Sequence, residues 1–100
     1  MTDPQVARAA DIALPLIQTS TASWGVRTCH WLPERDGRPA LWLTTGTEAQ
    51  RLALEGQVWL SSQVTMMLTR QGMPYDAMRG LRVFVDSLEG QRRLLTDDTV

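Results

Sequence analysis

A chain of 100 residues, 43% apolar and 21% charged, has the size and composition of one globular domain rather than of a disordered chain. Its formal net charge of −1 removes the general positive field that draws proteins to nucleic acid or anionic membrane. A single cysteine, Cys29, excludes an intrachain disulfide and a zinc site built on thiolates, and no uninterrupted apolar run approaches the length that spans a bilayer.

At the amino end, Asp3, Arg8 and Asp11 break any apolar signal-peptide core, so the expected compartment is the cytoplasm. All ten basic residues are Arg, and Lys and Asn are missing altogether, a pattern expected of a GC-rich bacterial genome. Every cation is therefore a planar fork donor suited to carboxylate pairing and aromatic stacking.

Thr2-Asp3-Pro4 reads as a helix start, a capping side chain followed by proline where its missing N–H costs nothing. Val6, Ala9, Ala10, Ala13, Leu14 and Ile17 recur at three and four and predict a helix over about 4–19. Pro15 either kinks that helix or ends it near Ala13.

From Trp24 to Thr45 the period changes to two. Two runs rich in Val, Thr, Leu and Trp flank Pro33-Glu34-Arg35-Asp36-Gly37-Arg38-Pro39, which predicts a β-hairpin turning at Asp36-Gly37. Alternation puts Trp24, Val26, Thr28, His30 and Leu32 on one face, with Arg27, Cys29 and Trp31 on the other. In the second strand Leu41, Leu43 and Thr45 oppose Ala40, Trp42 and Thr44. Neither face is plainly polar, so both are expected to be covered, one by helices and the other by a strand layer or a second subunit.

Thr47-Glu48-Ala49-Gln50 is a capping box that starts a helix reaching Glu55, with Gly56 as its stop. Gln57 to Leu60 fits a short strand, and Leu60, Val64, Met67 and Leu68 follow helical spacing up to Gly72. A stripe of Ala77, Met78, Leu81, Phe84, Val85 and Leu88 predicts a helix over about 75–89, although Leu81 to Val85 would also serve as a strand. Gly90 ends it, and Leu94 and Leu95 are expected to dock before a polar tail at 96–100. The fold expected is α+β, with an N-terminal helix, a hairpin over about 24–45, then two or three helices on a small antiparallel sheet, all in a single domain.

Little in this chain carries chemistry. Cys29 and His30 are the lone thiol and the lone imidazole, but adjacent strand residues point to opposite faces and cannot act as nucleophile and base. The acidic residues are scattered apart from Asp97-Asp98, and no cofactor or metal set emerges. Thr45, Gly46, Thr47 and Arg51 stand at a strand-to-helix junction, the geometry of an anion site. The stretch 64–82 has the outline of a helix-turn-helix, with Leu68 where the motif needs a small residue and a mixed set of Tyr75, Asp76, Arg79 and Arg82 presented by the second helix.

Trp24, Trp31, Trp42, Arg79 and Arg82 are the candidate interface residues, because Trp and Arg are enriched at interface cores. The function expected is that of a small non-enzymatic bacterial accessory or adaptor protein, binding another protein or a second copy of itself without membrane attachment. The alternatives are a DNA-binding regulator using 64–82 and an anion- or ligand-binding domain at 44–51.

Overall fold

The computed structural model describes residues 3–98. Helix α1 (Pro4–Thr21) leads through a 3-10 turn (Ala22–Trp24) into strands β1 (Val26–Trp31) and β2 (Ala40–Thr45). Helices α2 (Glu48–Glu55) and α3 (Leu60–Arg70) follow, then a second 3-10 turn (Tyr75–Met78), strand β3 (Arg82–Ser87) and helix α4 (Leu88–Asp98). The chain is α+β, with three strands in the order β1-β2-β3.

Asp3 caps α1 by accepting a hydrogen bond from the Gln5 amide at 2.8 Å, and Pro4 takes the first helical position. Thr2, read with it as part of the start signal, lies outside the described residues. The helix runs unbroken through Pro15 to Thr21. Pro15 and Asp11 are both exposed, so the Asp11 carbonyl that loses its helical donor faces water, and Ala9, Ala10, Ala13 and Ile17 hold the helix on the core from its other side.

β1 and β2 form the expected antiparallel hairpin. Gly37, at φ 85°, turns the loop; its amide donates to the Glu34 carbonyl, and the Arg38 amide donates to Asp36 Oδ1. One departure from strict alternation occurs in β1. Val26 pairs with Thr45 but Thr28 pairs with Thr44, so an extra residue is accommodated as a bulge. The bulge puts Val26 on the same buried face as Cys29 and separates it from exposed Thr28 and His30.

The helix expected over 75–89 is not formed. Tyr75–Met78 makes one 3-10 turn, Gly80 adopts φ 76°, and Arg82–Ser87 is a strand that pairs parallel with β2, with Leu41 opposite Val83 and Leu43 opposite Val85. Gly80 in a left-handed conformation stops helical continuation, and a strand satisfies the second edge of β2 while laying Val83 and Val85 against the core. The sheet is consequently mixed rather than antiparallel. A strand at Gln57–Leu60 is likewise absent, because Leu60 begins α3. Gly90 is no stop, since α4 passes through it, and Leu94 is 67% exposed rather than docked. The Leu95 side chain lies outside the described residues.

The core lies on one side of the sheet. Ile17 of α1, Leu54 of α2, and Val64 and Leu68 of α3 meet Leu41 and Leu43 of β2, and each is at most 1% exposed. α1 runs along β1, α2 along β3, and α3 against α1. The face of the sheet opposite these helices is the one on which functional interest falls.

Because Pro15 removes one hydrogen bond from a helix whose path is otherwise regular, Pro15→Ala is expected to stabilise the fold by about 1–3 kcal/mol. A rise in the urea midpoint at unchanged slope checks this, and an unchanged or lowered midpoint contradicts it.

Candidate functional site

Two regions gather polar or aromatic side chains. The first is the strand-to-helix junction where β2 and β3 both end. Thr47 caps α2 by accepting from the Gln50 amide at 3.2 Å, and Gln50 Oε1 accepts in return from the Thr47 and Gly46 amides at 3.0 and 3.1 Å. Gly25, at φ 93°, allows this: a Cβ there would lie 2.3 Å from the Gln50 side chain. Thr45 Oγ1 is buried and donates toward the Thr47 and Asp86 carbonyls.

Arg51 is held by Glu48, with Nη2 3.0 Å from the carboxylate, and by Glu55 one turn on. Ser87 Oγ donates to Glu48 Oε1 and accepts from the Gly90 amide at 2.9 Å. Thr45, Gly46, Thr47 and Arg51 are thus brought together as their spacing implies, yet their donors already have partners within the chain. The Glu48 carboxylate also occupies the first turn of α2, where an incoming anion would have to sit. Glu48 is held below its ordinary value by the hydrogen bond from Arg51 first, then by that from Ser87. Among the described residues, no three of His, Cys, Asp and Glu come together to hold a metal ion.

The second region is the open face of the sheet. Register places His30, Trp42 and Phe84 in one row across the three strands, and Thr28, Thr44 and Asp86 in the next. The Trp42 and Phe84 rings stack at 4.3 Å between centroids with 22° between their planes. Each shields the other, so both are half-buried, while His30 and Thr28 are exposed. Trp42 Nε1 donates to the Leu32 carbonyl at 3.0 Å, tying the indole to the hairpin. Leu32, 58% exposed, continues the apolar surface into a groove of about 650 Å³ between Trp42, Pro33 and the hairpin loop. Arg82 stands at the amino end of β3, its guanidinium 3.7 Å from Glu34, and Asp86 stands four residues on, toward the carboxyl end.

Of the candidate interface residues, the open face holds Trp42 and Arg82. Trp24 ends the 3-10 turn and packs on Trp59 with ring centroids 5.5 Å apart, and Trp31 is half-buried against the core. Arg79 is exposed in the turn before β3. Phe84 and Asp86 escaped sequence reasoning because a helix was expected there; the period of two over Leu81 to Val85 was the signal that could have found them.

Cys29 faces the core at 7% exposure while His30 faces out, so the thiol and the imidazole lie on opposite sides of the sheet. Burial pushes the Cys29 thiol up from 9.0 to about 12. The second helix of a helix-turn-helix is also absent, since only the four-residue 3-10 turn and then β3 follow α3. The two-helix unit expected over 64–82 is therefore not formed. Among the described residues no helix is long and apolar enough to cross a membrane. Comparison with protein-family models, with curated proteins and with solved structures finds no match to this chain.

Two titrations check these environments. Cys29 ionises near 9.0 when exposed and near 12 when folded, so its contribution to stability is complete below pH 9 and is lost as the pH rises toward 12. With no Lys in the chain to titrate alongside it, Cys29→Ala is expected to lose less stability than the parent between pH 8 and 10, measured by urea unfolding; equal losses contradict the assignment. Glu48 has the opposite sign: its lowered value stabilises the fold above 4.5, and that stabilisation is lost as the pH falls below it. Glu48→Gln is expected to flatten the acid limb of the stability profile, and an unchanged limb contradicts this.

Proposed function

We propose that this chain is a small non-enzymatic accessory protein that docks a protein partner on the open face of its sheet. The observation that carries the reading is the stacked Trp42–Phe84 pair, continuous with Leu32 at 58% exposure, on a face opposite the helices. Aromatic anchors flanked by polar and charged groups are the composition of a protein interface, in which a few such residues supply most of the binding energy. His30, Thr28, Arg82 and Asp86 provide that rim. The junction of β2 with α2 offers less, because its donors are satisfied internally.

A photo-reactive amino acid at His30 or Leu32 tests the reading in the native host, with the same group at exposed Arg8 and Ser62 on the helical side as controls. A defined protein adduct from the sheet positions and none from the controls is expected. Adducts that form equally from both sides, or from neither, overturn the proposal. Trp42→Ala is expected to abolish the adduct while leaving the circular dichroism spectrum folded.

A further inference from the structure

Resting on that docking surface, we infer that its occupant is a second copy of this chain, related by a two-fold axis that lies along the row His30–Trp42–Phe84. The argument comes from the placement of charge on β3. Arg82, exposed beside Glu34, and Asp86, half-buried beside Gln91 of α4, share the strand face of Phe84 and flank it at equal spacing, two residues to either side. A two-fold axis in the plane of the interface and perpendicular to the strands reverses strand direction while keeping β3 over β3. It therefore sets Arg82 of one copy over Asp86 of the other, and sets Trp42 and Phe84 over their own counterparts. Such an interface is self-complementary, as two-fold symmetry requires.

The distances agree. Four strand residues span about 13 Å, so each charge stands about 6–7 Å from the axis. Sheets stacked face to face lie about 10 Å apart, with strands within about 30° of each other. A rotation of that size moves each end sideways by only about 3 Å, within the reach of an arginine side chain. An axis parallel to the strands gives no such pairing: along β2 it would set β3 over β1, leaving Asp86 over the uncharged Thr28, and along β3 it would bring Arg82 against Arg82 and Asp86 against Asp86, where like charges oppose association. A net charge of −1 adds almost no repulsion between whole molecules. Three strands of six residues with the hairpin loop offer an area at the small end of specific interfaces, which sets a weak, concentration-dependent dimer.

Sedimentation velocity over a concentration series on the full chain tests this. The parent is expected to pass from monomer to dimer between micromolar and millimolar concentrations. Arg82→Asp and Asp86→Arg are each expected to weaken the dimer at least tenfold, and the double variant to recover most of the loss. Asp86 also accepts from the Gln91 side chain and the Ser87 amide, so its replacement can cost folding. Arg82→Lys and Arg82→Glu, both at an exposed position, then serve in its place, the first keeping the dimer and the second losing it. A parent that stays monomeric at every concentration, or a dimer indifferent to charge at position 82, overturns the inference. If cross-links from His30 to a different protein persist in a monomeric parent, the self-association is wrong and the docking surface stands.

Discussion

The structure depends on β2 being paired on both sides and covered on its inner face. Its inward residues Leu41 and Leu43 are fully buried, its amide and carbonyl groups are engaged by β1 on one edge and β3 on the other, and buried side chains of α1, α2 and α3 join Leu41 and Leu43 in one core. Parallel pairing with β3 has a topological cost, since β2 cannot reach a parallel neighbour by a tight turn. α2 and α3 form that crossover, and the burial of Leu54, Val64 and Leu68 beneath the sheet is the return on its length. The open face follows from the same arrangement: with α1, α2 and α3 all laying buried residues on one side, Trp42 and Phe84 stack on the other, where Gln91 of α4 reaches Asp86.

Much of this was legible in local patterns. The capping box at Thr47 and Gln50, the turn at Asp36-Gly37 and the apolar stripe of α1 each depend on residues a few positions apart, and each forms as its spacing requires. What the pattern left open was β3. Leu81 to Val85 satisfies both a helical and a strand period, and the decision rests with Gly80 and with the unfilled edge of β2, forty residues away in sequence. The bulge at Val26 was hidden for a similar reason, because a period of two gives no sign of an inserted residue until the partner strand is in place.

The candidate surface was half legible. Trp42 was named from composition, but Trp24 and Trp31, equally suggestive as indoles, turned inward to Trp59 and the core. Composition says that four indoles are available and cannot say which of them a bulge or a strand's phase will turn outward. Phe84 and Asp86 became visible only once β3 was a strand, and with them the aromatic stack and the opposed charges. The Ser87–Glu48–Arg51 cluster was beyond sequence reasoning, since it joins side chains 39 residues apart and requires Gly90, where a Cβ would lie 2.6 Å from Glu48.

The bulge in β1 reaches further than the phase of one valine. β1 is a terminal strand of the sheet, and a straight terminal strand presents a row of amide and carbonyl groups on which further strands can add. Here the inserted residue interrupts the ladder, and Gln18 Nε2 of α1 occupies the Arg27 carbonyl at 2.9 Å. Fibre-like growth by strand addition is therefore discouraged at that margin of the sheet.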